Sequence, residues 1–293
     1  RVEALLSLGR TNDAIKVATG MLDKQEAYKP EQFYRIAGLM LDASMYNEAA
    51  RAFTATRPTT SSNMWQLASL GLGKALFGLG RFEEAIKPLE EILARNKRSA
   101  YTLDANLMLS RCYAEVGKKE ADPDKKREWF NKSIKTINIV RRLIGKNDRK
   151  AFFDTELELA AIQLLKGDKN GAAATYVRVL MDGDSADPRL RPAMETAFAL
   201  GTPVLRELEK YDDVKQNCQQ YKKQFPNGAA IGRAKDWEDW ADARLGIQPG
   251  TAGTQPEVPA VPPAVPVAPA TQSVTQAKQP VAVATQPVPV VVK

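Results

Sequence analysis

The chain has 293 residues, with 42 lysines and arginines against 35 aspartates and glutamates, a formal +7 whose two signs are interspersed along most of the sequence. It has no histidine, and its two cysteines, Cys112 and Cys218, lie far apart and outside any CxxC. Histidine metal sites, Ser-His-Asp and Cys-His nucleophile systems and histidine general bases are therefore excluded, and no run approaches the eighteen or so apolar residues of a membrane-spanning helix. The interspersed charge reads as a solvated surface and the cysteines as buried, apolar-like thiols. Because the chain starts at Arg1, with no initiator Met and no charged n-region or apolar h-region, it is expected to be a mature or excised piece of a longer product.

In chain order, Gly9, Ala14, Ala18 and Met21 read as the turn and second helix of a truncated first unit. Phe33, Ile36, Ala37, Met40, Ser44, Tyr46, Ala49 and Phe53 then span a complete helix–turn–helix. Residues 71–86, GLGKALFGLGRFEEAI, hold glycines beside a lysine, but they do not form a phosphate cradle. Such a loop needs the order GxxxxGK[ST], whereas Lys74 precedes Gly78 and Gly80 and no Ser or Thr follows it; Leu76 also occupies the third glycine of a dinucleotide fingerprint. Instead Leu72, Leu76 and Leu79 line one helical face, and the phase restarts after Gly80 with Phe82, Ala85, Ile86, Leu89, Ile92 and Leu93. Gly80 is thus predicted to turn the chain at φ > 0.

Further along, Leu109, Ser110, Tyr113 and Gly117 make a first helix, and its partner is expected to begin late, near Phe130, after the polar insertion KKEADPDKKREW; Ser133 and Ile137 take its small and large positions. Leu159, Ala160, Gln163, Gly167, Lys169, Ala172 and Tyr176 form another unit, irregular at Gln163 and Lys169. In the last unit Tyr211, Val214, Cys218, Tyr221 and Pro226 keep a second helix, while Gly201, Thr202 and Pro203 predict a broken first helix. Residues 229–245 read as a final helix whose Trp237 and Trp240 cap the array, a role preferred to an aromatic ligand site. From Gln248 onward there are ten prolines, no aromatic residue, and only Glu257, Lys278 and Lys293 charged. Residues 248–293 are therefore expected to be a disordered tail, dispensable for folding.

The series resembles the tetratricopeptide repeat (TPR), a helix–turn–helix unit of about 34 residues. Its small positions, Ala14, Ala49, Ala85, Ser133, Ala172 and Val214, follow at intervals of 35, 36, 48, 39 and 42 residues, and the likeness covers roughly residues 1–227. The resemblance implies an all-α, right-handed superhelical solenoid over residues 1–247, with first helices lining the inner surface. It implies a non-catalytic scaffold that binds a protein or peptide segment, with no cofactor. Outside the packing positions, the first helices leave Tyr34 in one unit, Lys74 and Phe77 in the next and Arg111 in the third as candidate partner-binding residues. The Lys, Asn and Arg set with which some family members clamp a C-terminal carboxylate is not reproduced.

The segments ILARNKRSAYTLDANLMLSRCYAEVGK and YKKQFPNGAAIGRAKDWEDWADARLG, above all Phe225-Pro226-Asn227, are similar to the bacterial cell-envelope branch of the family. That similarity implies an assembly role, periplasmic or outer-membrane-associated rather than cytoplasmic. The alternative is a basic helical repeat binding nucleic acid, motivated by Arg141, Arg142 and the run GKNDRK at 145–150. Acidic residues interleave with most of its basic clusters. An acid/base pair at Glu156 and Glu158 is disfavoured because residues two apart on a helix do not face each other.

Overall fold

A computed structural model describes residues 1–24, 27–57, 62–95, 100–144 and 148–247; the expected disordered tail lies outside the described residues. These contain thirteen helices: α1 (Val2–Ser7), α2 (Thr11–Leu22), α3 (Pro30–Asp42), α4 (Tyr46–Thr56), α5 (Ser62–Gly78), α6 (Phe82–Arg95), α7 (Thr102–Lys119), α8 (Pro123–Leu143), α9 (Arg149–Lys166), α10 (Lys169–Asp182), α11 (Arg191–Glu207), α12 (Tyr211–Gln224) and α13 (Ile231–Arg244). Odd-numbered helices pair with the even-numbered helices that follow, and α13 packs on α12. First helices also touch across units (α1 with α3, α3 with α5, α5 with α7, α9 with α11), as do second helices (α2 with α4, α10 with α12). This neighbour-to-neighbour packing is a TPR-like all-α solenoid.

The turns explain why each hairpin reverses. Gly9, Ser44, Gly80, Gly167 and Glu209 have φ of 71°, 59°, 72°, 88° and 56°. At each, the next N–H donates to a carbonyl five residues earlier: Arg10 to Leu5 at 2.8 Å, Met45 to Met40 at 2.8 Å, Arg81 to Leu76 at 3.0 Å, Asp168 to Gln163 at 2.8 Å and Lys210 to Leu205 at 3.0 Å. This Schellman closure satisfies the last carbonyls of the first helix while turning the chain. A Cβ at Gly80 would meet nothing within 4 Å, so glycine is needed there for its backbone conformation and not for space.

The small positions read from the sequence are the packing positions. Ala14, Ala49, Ala85, Ser133, Ala172 and Val214 are fully buried. Gly73 of the facing helix lies so close to Leu89, four residues after Ala85, that an added Cβ would be 2.7 Å from Leu89 Cδ2. The irregular residues at Gln163 and Lys169 also have uses. Thr175 Oγ1 donates to Gln163 Oε1 at 3.0 Å across the α9–α10 hairpin, and Lys169 reaches Glu207 of the next unit.

Two expectations are corrected. Helix α8 begins at Pro123, not near Phe130: Asp122 caps it, its Oδ1 accepting from the N–H groups of Asp124 and Lys125 at 2.9 and 3.0 Å, and Pro123 occupies a first-turn position that needs no N–H donor. The polar insertion therefore lengthens helices rather than forming a loop. Helix α11 is unbroken through Gly201, Thr202 and Pro203. Gly201 lets the helix approach Tyr176, whose Cβ would be 2.5 Å from an added Cβ, and the buried Thr202 hydroxyl accepts from Asn217 Nδ2 at 2.7 Å. These contacts with α10 and α12 outweigh the loss of one helical hydrogen bond.

Ala85→Trp should therefore destabilise the fold by on the order of 1–3 kcal/mol through overpacking. Glu209→Gly, which relieves a left-handed conformation, should stabilise it by about 0.5–1 kcal/mol. Thermal melts of both variants test the assignment; an unchanged Ala85→Trp melt would place the crossing elsewhere.

Candidate functional site

The four candidate residues lie on α3, α5 and α7, which touch in sequence. Tyr34 and Phe77 are not outside the packing set, as the sequence suggested. Tyr34 packs edge-on against Phe53 of its own hairpin, with ring centroids 5.9 Å apart, and Phe77 lies 5.0 Å from Phe82 across its turn. Both are half-buried. Burial, and secondarily neighbouring Tyr101, raises the pKa of the Tyr34 phenol. Lys74 is half-buried and has no ion-pair partner among the described residues.

Arg111 belongs to a different arrangement. Its Nε and Nη2 donate to Glu158 Oε1 and Oε2 at 2.9 and 3.0 Å, a two-pronged bond from α7 to α9. The guanidinium therefore ties adjacent units together, and its charge is met internally. No hydrogen bond, ion pair or ring contact among the described residues joins Tyr34, Lys74, Phe77 and Arg111 to one another.

Beside Arg111 lies a polar junction that the sequence did not reveal. Glu156, almost wholly shielded from solvent, is held between Arg141 of α8 and Arg178 of α10, the latter at 2.8 Å. As expected from their i, i+2 spacing, Glu156 and Glu158 do not form a carboxylate pair; they serve different arginines. Lys135, Asn138, Arg141 and Arg142 of α8, with Phe152 of α9, line an open cleft of about 580 Å³. In the adjoining basic run, residues 145–147 lie outside the described residues. Arg149 donates to the Asp182 carbonyl at 2.6 Å and Lys150 pairs with Asp154 at 2.6 Å, so these charges form local bonds rather than an open stripe.

The thiols of Cys112 and Cys218 are buried, and desolvation pushes both up to about 12, which keeps them neutral and unreactive near neutral pH. No group of histidine, cysteine and carboxylate side chains suited to a metal ion occurs among the described residues. No described helix is long and apolar enough to cross a membrane.

No protein-family model and no curated protein matches the chain. Among solved structures, it is similar to the C-terminal part of a TPR repeat-containing protein from Cytophaga hutchinsonii. The two are 14% identical, the match covers 85% of this chain and 95% of that chain, and the TM-score is 0.41. The fold assignment rests on the helix pairing and turn geometry above.

Replacing Glu156 with Gln leaves Arg141 and Arg178 without their shared counter-charge. This should cost about 3 kcal/mol in a denaturant titration, near the lower end for breaking a buried pair because both arginines can partly rehydrate. Glu84→Gln, which opens only the exposed Arg81–Glu84 pair, should change the midpoint little. Equal midpoints for the two variants would show that the junction contributes nothing to holding α8, α9 and α10 together.

Proposed function

We propose that the chain is a non-catalytic scaffold that binds a peptide or protein segment along the face of its first helices, and that it acts in bacterial cell-envelope assembly, in the periplasm or at the outer membrane. The observation that carries the binding reading is the direct contact of α3 with α5 and of α5 with α7. It supports one continuous surface on which Tyr34, Lys74 and Phe77 are half-buried. Aromatic and long cationic side chains held in this way lose little freedom on binding, which suits them as interface anchors. Arg111 contributes through its Glu158 pair, as a rigid polar edge. The envelope assignment rests on the pattern around Phe225-Pro226-Asn227 and on the composition of residues 248–293.

The cleft on α8 favours a second reading, nucleic-acid binding, through Lys135 and Arg142. Arg141, the third cation of its lining, is already matched by Glu156, so the local positive charge is smaller than the residue count suggests. Steep weakening of single-stranded RNA binding with salt would favour this reading.

The scaffold reading is tested by site-specific photocrosslinking. A photoreactive residue at position 74 should give adducts with a cellular protein, and the same residue at position 87, exposed on α6, should not. Lys74→Glu should weaken capture roughly tenfold, a change of about 1.4 kcal/mol, without altering the melting temperature. Equal adduct yield from positions 74 and 87 would remove the first-helix face as the binding surface.

A further inference from the structure

The arginines nearest the interior of this protein are matched by carboxylates: Arg57 by Glu91, Arg111 by Glu158, and Arg141 by Glu156. Arg206, in the last turn of α11, breaks the pattern. Its Nε, like that of Arg141, is shut off from solvent and has no hydrogen-bond acceptor, but no ion pair involves its guanidinium, among the described residues. The group stacks 4.7 Å from the ring centre of Trp240 and 5.7 Å from that of Trp237. Desolvation draws its pKa below the ordinary value, with no neighbouring carboxylate to restore it.

Helix α13 supplies the rest of the patch. Arg233, Trp237, Trp240 and Arg244 fall at i, i+4, i+7 and i+11, one stripe along a single helical face of roughly 16 Å. Arg233 stacks on Trp237 at 5.6 Å and Arg244 on Trp240 at 5.5 Å. Trp237 is buried against Phe198 and Trp240 lies against Tyr211, so the stripe is fixed to the core. Neither Arg233 nor Arg244 is ion-paired among the described residues. Of the carboxylates of α13, Glu238 and Asp242 are taken by Lys222 and Lys215 of α12, and Asp236 and Asp239 form no ion pair with Arg206, Arg233 or Arg244 among the described residues. Three guanidiniums thus converge on two indoles, and none of the three is in an ion pair among the described residues.

We propose that this arginine–tryptophan patch on the terminal helices is a second binding surface, and that its occupant is an acidic, partly apolar peptide segment of a protein partner. A guanidinium whose face is covered by an indole keeps an N–H edge that can donate two hydrogen bonds to a carboxylate; at Arg206, whose Nε is shut off from solvent, that edge is the one formed by its two Nη groups. Apolar residues between the carboxylates would meet the half-buried Trp240 and Tyr211. Nucleic acid fits less well. The stacked guanidiniums already occupy the indole surfaces that a base would need. The chain's own residues 248–293 offer one carboxylate side chain, Glu257, against Lys278 and Lys293, so they lack the complementary charge. This surface is separate from the first-helix face of α3, α5 and α7 and does not depend on that reading.

The test uses the full chain and a fluorescein-labelled peptide of alternating glutamate and leucine, followed by fluorescence anisotropy. The peptide should bind, binding should weaken as salt is raised, and a glutamine-for-glutamate peptide should bind at least roughly tenfold more weakly. Arg206→Gln and Arg244→Gln should each weaken binding by a comparable factor. Arg127→Gln, on the exposed surface of α8, should not. Arg206→Gln gives up stacking on the two indoles but no counter-ion, so it should lower the melting temperature only slightly, which separates lost binding from lost structure. If that variant nevertheless misfolds, the exposed Arg244→Gln decides the question. The proposal is overturned if the parent chain does not bind the acidic peptide, if the glutamine peptide binds equally well, if Arg244→Gln binds like the parent, or if oligothymidylate displaces the peptide and binds more tightly.

Discussion

Two paired helices can approach only as far as the side chain at their crossing permits, and the rest of this array depends on that limit. The crossing residue is Ala14, Ala49, Ala85, Ser133, Ala172 or Val214, always fully buried. Four residues later, on the same helical face, come Ala18, Phe53, Leu89, Ile137, Tyr176 and Cys218, all buried as well. In four of the six hairpins the small residue is followed by a larger one, Phe53, Leu89, Ile137 or Tyr176, that fills the space beyond it; the first and last hairpins use Ala18 and Cys218 there. Irregular spacing along the chain is tolerated because it falls between crossings. The long α7–α8 hairpin shows how: its extra residues extend the helix ends, while Ser110 and Ser133 clasp at the crossing. Ser133 Oγ donates to the Ser110 carbonyl at 2.7 Å, and Ser110 Oγ to the Ser133 carbonyl at 3.2 Å. This is also the hairpin whose turn lacks a positive φ among the described residues, so the side-chain clasp supplements what the turn does elsewhere.

Features that were legible in the sequence are those specified by residues close together in the chain. A turn glycine followed by a phase restart identifies a hairpin because both signals fall within one helical turn, and the small–large pair four residues apart identifies its buried face. The αL turns at Ser44 and Glu209 carry no such composition cue. They adopt the conformation because the flanking helices are already fixed by packing, and the tertiary gain exceeds the local strain. Pro203 misled for the same reason: its local cost is real, but the close approach of Gly201 to Tyr176 and the buried Thr202–Asn217 bond hold α11 in one piece. The start of α8, by contrast, was readable: Asp122-Pro123 is a capping residue followed by a first-turn proline.

The candidate site was less legible because side-chain pairing joins distant parts of the chain. Arg111 meets Glu158 at a separation of 47 residues, and Glu156 collects arginines from the helices before and after its own. Helical phase identified Arg111 as outside the apolar packing set, which is correct, but an inward-facing cation can be claimed by the next unit as readily as by a partner. The same applies to Tyr34 and Phe77. Phase alone does not distinguish a ring resting on its own second helix from one presented to a ligand.

These pairings divide the array. Apolar clusters run from α1 to α7 and from α9 to α13, with a smaller cluster of Ala114, Phe130, Ile137, Val140, Leu159 and Ile162 between them. The α7–α8 and α9–α10 units meet through that cluster and through the Arg111–Glu158 and Arg141–Glu156–Arg178 bonds. Apolar contact is tolerant of sliding, whereas a two-pronged guanidinium–carboxylate bond is met in one register only. The polar junction thus fixes how the two larger apolar segments are joined, and this gives the internal arginines their pairing rule. A cation largely removed from water within a repeat array is matched by a counter-charge in the adjacent unit, because little solvent reaches it to supply one. Helix α13 is the last helix among the described residues. Arg206, stacked on the tryptophans of that last helix, occupies the place where the rule would call for the next unit's carboxylate. A segment of another protein that brings its own carboxylates would complete the terminal surface by the same chemistry that joins the internal units.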